Sequence, residues 1–244
     1  MTTSETQFAP DVGIISPTYC EAENIGGIIQ TIECLNLDSV ILVIDDSSPD
    51  KTRNIVENLS KKYRNIILLT RPHKMGLGTA IRDGFELLLS QPNPPKYIVT
   101  MDADYSHNPY DIPRILEFSK EGYDLVVGSR YCKGGEVKGW TVLRRIVSMV
   151  ANRVAGSLIQ LRINDFTNGF RCYSQRCVKN VLPKLHSQTY EIQIETIRQA
   201  SHHNLKIGEI PITFENRKKG KSKLSLTEIV AFSTYIMKVL LRQK

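Results

Sequence analysis

The feature that most constrains the fold of this chain is a regular alternation of apolar runs and helical patterns. Five short, β-prone and largely apolar runs occur at residues 12–16, 40–44, 66–70, 97–101 and 125–128. Segments with the spacing of amphipathic helices separate them, at residues 23–35, 51–63, 79–89 and 109–120. Strands that are apolar throughout indicate a parallel sheet covered on both faces. The sequence therefore predicts an α/β fold with a mostly parallel sheet flanked by helices.

Polar motifs follow these runs, where the predicted strands end. They stand at residues 17–21, 45–48, 102–104 and 129–130. Sheets of this class bind their ligands at the carboxyl ends of the strands. The convergence of four polar motifs therefore predicts a binding site along one edge of the sheet, and it is stronger evidence than any single motif.

Two carboxylates, Asp102 and Asp104, stand one residue apart directly after the run at 97–101. Because strand side chains alternate, this spacing turns both carboxylates to the same side of the strand end. Such a pair of like charges needs a positive partner, and hard oxygen ligands suit Mg²⁺ or Mn²⁺, which in turn bind phosphate oxygens. A solvated acidic turn is the alternative interpretation of this motif.

Two further motifs each allow a binding role and a structural role. Asp45 and Asp46 follow the second run, where they could accept hydrogen bonds from a base or a ribose. Alternatively, Asp46, Ser47 or Ser48 could cap the next helix. Gly76 and Gly78 precede a helix and could present backbone N–H groups to an anion, but they form no complete phosphate-loop or dinucleotide fingerprint. A tight turn is the alternative for the two glycines.

The chain is basic, with a net charge of +7. This charge favours phosphorylated substrates, an anionic membrane surface or nucleic acid, and the absence of any nucleic-acid-binding motif argues against the last. Five arginines in or beside loop signals could form forked contacts with phosphate, or could belong to a solvated basic surface: Arg130, Arg144, Arg145, Arg171 and Arg217.

The cysteines and the chain termini bear on location. Five cysteines without a C-x-x-C pair predict free thiols in a reducing compartment and argue against zinc. Residues 1–10 are polar and carry no secretory signal, so we expect a disordered tail there. No window is apolar enough for a spanning helix. We therefore expect a cytoplasmic protein that binds peripherally at the cytoplasmic face of a membrane.

The second half of the chain predicts a helical elaboration of one domain that covers residues 11–244. Helical patterns occupy residues 141–161 and 187–203, and short strands are expected at residues 206–210 and 212–214. A basic loop at 217–223 precedes a final amphipathic helix at 225–241. Its broad apolar face next to basic charge predicts a helix lying on a membrane, and packing on its own domain is the alternative.

Taken in order, these motifs resemble the family 2 inverting GT-A glycosyltransferases, and more narrowly the dolichol-phosphate (polyprenyl-phosphate) mannose synthases. The matching segments are residues 17–25, 44–50, 76–80, 101–109, 128–131, 165–171 and 209–214, together with residues 148, 151–152, 217, 220 and 222–224. The resemblance covers residues 12–224 and implies a Rossmann-like GT-A fold. It implies metal-dependent transfer of mannose from GDP-mannose to dolichyl or polyprenyl phosphate, with a small membrane protein as a further partner and no nucleic acid.

The resemblance also implies roles for individual residues. The nucleotide-sugar would be held by Pro17, Tyr19, Glu21, Ile44, Asp46, Asp102 and Ala103, with Asp46 reading the base. The acceptor phosphate would be held by Arg130, Arg144, Ser148 and Arg217. Asp102, Asp104 and Arg130 would be the catalytic residues, and Asp104 would bind the metal. Some members carry Gln at the position of Ser106, where it helps to hold the metal, so Ser106 is an open candidate for a second ligand.

The chemistry of the acceptor leaves two rival functions open. A phosphate monoester has a second pKa near ~6 and is already a nucleophile at neutral pH, whereas an acceptor hydroxyl requires a carboxylate base, for which Asp165 is the candidate. A glucosyltransferase that uses UDP-glucose with the same lipid is the rival enzyme. A non-catalytic module that binds a nucleotide-sugar or docks on a membrane is the rival of another class.

Overall fold

In the computed structural model, which describes residues 10–216, the alternating pattern forms a layered α/β structure. The strands are β1 (Val12–Thr18), β2 (Ser39–Asp45), β3 (Ile66–Thr70), β4 (Tyr97–Thr100), β5 (Leu125–Ser129), β6 (Glu136–Lys138), β7 (Arg171–Ser174), β8 (Ile207–Pro211) and β9 (Thr213–Glu215). The helices are α1 (Ile25–Glu33), α2 (Thr52–Lys62), α3 (Leu77–Leu89), α4 (Ile112–Lys120), α5 (Val142–Ile159), α6 (Gln175–Val181) and α7 (Ile192–His202). The predictions for the tail at 1–9, the basic loop at 217–223 and the helix at 225–241 lie outside the described residues.

The main sheet has the strand order β3-β2-β1-β4-β7-β5-β8. The pairs β1–β2, β1–β4, β2–β3 and β5–β8 are parallel. Strand β7 lies between β4 and β5 and runs antiparallel to both. A second, two-stranded sheet pairs β6 with β9 in parallel. The prediction of a mostly parallel sheet flanked by helices is confirmed.

Both faces of this sheet are buried along β1, β2, β4 and β5, which explains why these strands are largely apolar. Along β1, Ile14 packs into the core on one face and Ile15 into the core on the other. Helix α1 covers the first face with four buried residues at helical spacing, Ile25, Ile28, Ile29 and Ile32. Helix α3 covers the second face through Ala80, Ile81, Phe85 and Leu88.

The register brings the predicted site residues to one edge. Thr18 at the end of β1 lies opposite Asp45 at the end of β2, and Ile15 lies opposite Thr100 at the end of β4. Strand β5 runs in the same direction as β4, because both are antiparallel to β7. The loops that follow β1, β2, β4 and β5 therefore emerge at the same edge of the sheet.

Three described elements are not predicted by the sequence patterns: β6, β7 and α6. Strand β7 is only four residues long and begins with an arginine, so neither its length nor its polarity distinguishes it from a loop. Helix α6 is capped by Ser174, whose hydroxyl accepts a hydrogen bond from the Cys177 N–H at 3.0 Å. None of the described helices combines the length and apolar character needed to cross a bilayer.

Candidate active site

The two carboxylates after β4 sit in a tight turn that holds each of them differently. Asp104 is buried, and its Oδ1 accepts hydrogen bonds from the backbone N–H and the hydroxyl of Ser106, at 3.0 and 2.5 Å. Tyr105, which lies between Asp104 and Ser106 in the turn, adopts a left-handed φ of 60°. The side chain of Asp102 is 39% exposed. The turn therefore orients the Asp104 carboxylate and leaves Asp102 facing the solvent side of the edge.

The donor set of this turn fits a metal that also binds substrate phosphate. Asp104 supplies a hard carboxylate, and Ser106 donates its hydroxyl proton to that carboxylate and so orients it. The role of Ser106 as a second metal ligand stays a prediction. Within residues 10–216, no group of three or more His, Cys, Asp and Glu side chains could enclose a metal ion. Mg²⁺ is commonly bound by one or two carboxylates together with substrate phosphates, and this arrangement has that form.

His107 fixes the backbone of Asp102. The Asp102 N–H donates to Nδ1 of His107 at 3.0 Å, so Nδ1 carries no proton and the ring is the neutral Nε2–H tautomer. Nε2 in turn donates to Oδ1 of Asn168 at 2.7 Å. The Asp102 carboxylate lies 3.8 Å from Nδ1, but a neutral ring forms no ion pair. Sequence analysis missed this role, and the cap of the following turn is Asn108, which accepts from the Tyr110 N–H.

Asp45 and Asp46 have separate structural partners. The Asp45 carboxylate accepts from the hydroxyls of Thr18 and Ser48 and from the Ser48 N–H. The next helix begins only at Thr52, whose N–H donates to Asp50, so the capping alternative is wrong. One oxygen of Asp46 accepts from Arg71 Nε at 2.5 Å, and the other accepts from the N–H groups of Met75 and Gly76 at 3.0 and 3.3 Å. The turn before α3, here named the glycine turn (residues 75–78), therefore directs the N–H groups of Met75 and Gly76 to the Asp46 carboxylate.

Arg71 ties this part of the edge together and was not among the residues expected from the sequence. It is 4% exposed and donates to Asp46, to the Thr79 hydroxyl and to the Gly76 carbonyl. A carboxylate offers about four lone-pair sites, and the contacts of Asp46 fill most of them. For Asp46 to read a base, as expected, one of these bonds would have to be exchanged.

The remaining expected nucleotide residues surround the ends of β1, β2 and β4. Pro17 and Tyr19 are half-buried, and the Lys74 ammonium lies 5.1 Å from the centre of the Tyr19 ring. Glu21 is buried and accepts from the Asn24 amide at 2.9 Å. The side chains of Ile44 and Ala103 pack in the two cores. Ile44 and Ala103 could therefore contact a nucleotide only through their backbones.

A buried ion pair follows β5. Arg130 donates through its backbone N–H, Nε and a terminal nitrogen to Asp165, at 3.0, 2.7 and 2.8 Å. Burial opposes the charge of both groups, but their mutual attraction outweighs it, so the pKa of Arg130 is raised and that of Asp165 is lowered from its ordinary value. The Asp102 charge also contributes to the raised pKa of Arg130, which links the two parts of the site.

Aromatic side chains join Arg130 to the start of α5. The guanidinium of Arg130 lies 5.3 Å from the centre of the Trp140 ring, and that of Arg144 lies 4.1 Å from it. The Tyr131 hydroxyl donates to Ser148 Oγ at 2.8 Å. The structure therefore brings Arg130, Arg144 and Ser148 into one cluster. Their role in binding the acceptor phosphate stays a prediction, and Arg217 lies outside the described residues.

Comparison with known proteins assigns the chain to a family. The family model described as glycosyl transferase family 2 matches residues 13–182. The chain belongs to this family. It is 35% identical over 218 residues to a polyprenol monophosphomannose synthase of Mycolicibacterium smegmatis, with 88% of this chain and 82% of the relative covered. It is 33% identical over 235 residues to a dolichol-phosphate mannosyltransferase of Pyrococcus furiosus, with 94% of this chain and 63% of the relative covered.

Solved structures support the fold of this glycosyltransferase. Glucosyl-3-phosphoglycerate synthase from Mycobacterium tuberculosis, in complex with Mn²⁺, uridine diphosphate and glucosyl-3-phosphoglycerate, matches with a TM-score of 0.68 at 17% identity. The match covers 96% of this chain and 79% of that chain. At this identity the likeness concerns the fold, and it confirms the expected GT-A architecture. The chain spans less than two thirds of the length of the Pyrococcus furiosus relative.

Two sequence interpretations of charged residues in the glycosyltransferase need correction. Arg171 is fully buried and donates to the carbonyls of Phe166, Asn168 and Gln193, so it braces a loop and cannot reach a phosphate. Burial lowers the pKa of Arg171. Asp165 is likewise buried and fully engaged by Arg130 and backbone N–H groups, which removes it as a general base.

No disulfide joins the five cysteines, all of which lie in the described part of the chain.

Proposed function

We propose that this glycosyltransferase transfers mannose from GDP-mannose to a polyprenyl or dolichyl phosphate, with inversion at the sugar carbon. Two relatives of 35% and 33% identity, named for polyprenol monophosphomannose synthesis and dolichol-phosphate mannosyl transfer, support the sugar and the acceptor. The fold and the cluster of basic side chains beside Asp102 support a site where a nucleotide-sugar meets a second phosphate.

The observation that carries the proposal is the engagement of Asp165 by Arg130. A hydroxyl acceptor needs a carboxylate base, and Asp165 is the candidate from the sequence. The pKa of Asp165 is lowered, and its oxygens already accept hydrogen bonds from Arg130 and backbone N–H groups, so it is a poor proton acceptor. A phosphate monoester needs no such base, because at neutral pH its oxygen already carries the electron pair that attacks the sugar. Arg144 and Ser148, with Arg217 from the following segment, would orient that phosphate.

On the donor side, Pro17, Tyr19 and Glu21 would line the nucleotide pocket. Asp46 would contact the base after exchanging one of its present bonds, and Asp102 would contact the nucleotide-sugar. Asp104, oriented by Ser106, would hold Mg²⁺ or Mn²⁺. Such an ion, when bound, would offset the charge of the leaving diphosphate as a Lewis acid. His107 would keep Asp102 in place while the bond to the diphosphate breaks.

The proposal also includes a membrane surface at the cytoplasmic face, because a polyprenyl chain is held in a bilayer. A small membrane protein would be a further partner. The helix expected at residues 225–241 would add to the attachment. These partners follow from the acceptor and from the sequence of residues 217–241, which lie beyond the described part of the chain.

A transfer assay with the full chain tests this function. GDP-mannose and UDP-glucose are each supplied with a short polyprenyl phosphate, with Mg²⁺, with Mn²⁺ or with a chelator. We expect mannolipid from GDP-mannose and loss of product with the chelator. Glucolipid from UDP-glucose alone would favour the rival enzyme. Tight nucleotide-sugar binding with no product from any pairing would favour a non-catalytic module.

A further inference from the structure

Gln193 carries a buried polar group that its own domain leaves unpaired. The residue lies in the first turn of α7 and is 2% exposed. Among the residues that the structure describes, none forms a hydrogen bond with its side-chain Oε1. Buried side-chain oxygens nearly always have a partner, so this amide is placed for a group that the fold does not supply.

The Gln193 amide lies across Gly169 from the carboxylate of Asp102. A Cβ added to Gly169 would lie 3.2 Å from Nε2 of Gln193, 3.7 Å from Oδ1 of Asp102 and 3.8 Å from Cε1 of His107. The point that these three side chains surround is here named the Gly169 corner. A side chain at residue 169 would crowd the amide, so glycine keeps the corner free of protein atoms.

Buried hydrogen bonds hold both sides of the Gly169 corner in place. Arg171 donates to the carbonyl of Asn168, next to Gly169, at 2.7 Å and to the carbonyl of Gln193 at 2.5 Å. The Thr100 hydroxyl, at the end of β4, donates to the Gly169 carbonyl at 2.7 Å. The backbone of Gln193 is therefore fixed without help from its side chain, and the amide is preorganised for a ligand.

The chemistry of the corner selects a neutral ligand that carries hydroxyl groups. Asp102 offers a carboxylate, which repels a phosphate, and Gln193 has no charge to offset that repulsion. A hydroxyl can donate to the carboxylate and accept from the amide N–H, or donate to the amide oxygen. The match holds in either orientation of the amide, because a hydroxyl is both a donor and an acceptor. Neighbouring hydroxyls of one sugar ring can serve both side chains.

The order of the strands places the corner between donor and acceptor. The residues proposed for the nucleoside lie at the ends of β1 and β2, and the turn proposed to hold the metal follows β4. The arginine cluster proposed for the acceptor phosphate follows β5. Strand β7 lies between β4 and β5 and runs antiparallel to both, so its start, beside Gly169, lies at the same edge. A transferred hexose must sit between its diphosphate and its acceptor, and the corner has that position.

We infer that Gln193 binds a hydroxyl of the transferred hexose and, with Asp102, helps to select the sugar. The inference rests on the proposed function for the identity of the donor, while the contact with a hexosyl ring is a claim about Gln193 alone. The amide gains its missing partner only when the sugar is bound. The contact therefore adds to donor affinity and discriminates against a ring that lacks this hydroxyl.

Binding calorimetry with the full chain and Mg²⁺ tests the contact. The variant Gln193→Met removes the amide but keeps an unbranched side chain of similar length. Gln199→Met is the matched control, because Gln199 is a half-buried glutamine on the same helix. Each protein is titrated with GDP-mannose, with GDP, and with four GDP-mannose analogues that each lack one sugar hydroxyl, at C2, C3, C4 or C6.

We expect Gln193→Met to bind GDP-mannose roughly 3- to 10-fold more weakly than the unmodified protein, since a neutral hydrogen bond is lost. Its affinity for GDP, and both affinities of Gln199→Met, should be unchanged. The difference between Gln193→Met and the unmodified protein should shrink for the analogue that lacks the contacted hydroxyl, because neither protein can then make the bond.

Three results would overturn the inference. Equal weakening of GDP would assign the contact to the ribose instead of the hexose. Unchanged affinity for GDP-mannose would show that the amide binds no sugar. A difference of the same size for all four analogues would show that no single hydroxyl is contacted.

The melting temperature separates sugar binding from a structural role. Gln193→Met should melt no lower than the unmodified protein, because the oxygen that it removes has no partner among the described residues. A lower melting temperature together with unchanged donor affinity would make Gln193 a structural residue and refute the contact.

A second pair of ligands, UDP-glucose and UDP, separates this inference from the proposed function. If Gln193→Met weakens UDP-glucose but not UDP, and GDP-mannose is not transferred, then the proposed function fails and the contact with a hexose stands. If GDP-mannose is transferred to a polyprenyl phosphate but its affinity is unchanged in Gln193→Met, then the proposed function stands and the inference fails.

Discussion

Substitution of Asp165 by Asn should destabilise the protein strongly, because it strands a buried guanidinium. Arg130 is 7% exposed and Asp165 is 0% exposed, and the two share three hydrogen bonds. Removing one partner of a buried ion pair costs about 3–5 kcal/mol of unfolding free energy. At about 2–4 °C per kcal/mol for a domain of this size, the melting temperature should fall by roughly 6–20 °C.

The assay is thermal unfolding, with Glu57→Gln as the control. That substitution breaks the exposed pair of Arg53 and Glu57, which are 55% and 43% exposed, so it should leave the melting temperature nearly unchanged. The double variant Arg130→Met with Asp165→Asn should recover part of the loss, since no charge is left buried alone. If Asp165→Asn has the same melting temperature as the unmodified protein but loses turnover, then Asp165 takes part in the reaction. Our assignment of Asp165 as a structural partner of Arg130 would then be wrong.

The pH dependence of this difference has a definite sign. Burial acts to raise the pKa of Asp165, but Arg130 outweighs it and holds the pKa below the ordinary value of 3.8. A carboxylate with a depressed folded pKa contributes its full stability above the unfolded pKa and loses it as the pH falls through the folded pKa. The stability gap between the unmodified protein and Asp165→Asn should therefore be constant near neutral pH and close only in acid.

Five further substitutions, at four residues, test individual roles. His107→Asn keeps an acceptor for the Asp102 N–H, whereas His107→Gln keeps the donor to Asn168. If the two variants have equal melting temperatures, the Asn variant should have a kcat roughly tenfold higher than that of the Gln variant. A higher kcat for the Gln variant would refute the positioning of Asp102 through Nδ1. Asp104→Asn should remove most metal-dependent transfer without unfolding the protein, and unchanged turnover at saturating metal would refute the ligand role. Arg144→Ala should raise the KM for the lipid phosphate about 10- to 100-fold with little change for the nucleotide-sugar; the opposite split would show that Arg144 belongs to the donor site. Arg71→Met should raise the KM for the nucleotide-sugar, because Asp46 and the glycine turn lose their anchor; an unchanged KM would show that the turn holds itself.

The fold could be predicted because its main signal is local. Strands β1 to β5 differ from the predicted runs by at most two residues at either end, because burial makes these strands largely apolar. Strand β7 was missed for the opposite reason. Its first residue, Arg171, is a buried cation held by three carbonyls, and no local pattern shows that such partners exist.

The site shows the same limit. Its position followed from where the strands end, and Asp102, Arg130, Arg144 and Ser148 do converge on the predicted edge. Long-range partners decide what each side chain does. Arg71 lies 25 residues from Asp46 and Asp165 lies 35 residues from Arg130, and neither pairing can be read from spacing. The outward orientation of α5, whose residues Val142 and Leu143 are 75% and 71% exposed, is also a tertiary fact, since its apolar positions look like those of a core helix.

The most direct test of the central claim compares two acceptors that differ only in the phosphate. Radiolabelled GDP-mannose is supplied with a short polyprenyl phosphate or with the corresponding polyprenol, and mannolipid is measured across the pH range around the second phosphate pKa of about 6. We predict product from the phosphate alone, with a rate that rises as the monoester loses its second proton. Equal transfer to the alcohol, or a rate indifferent to that ionisation, would contradict a mechanism in which the acceptor phosphate is its own nucleophile.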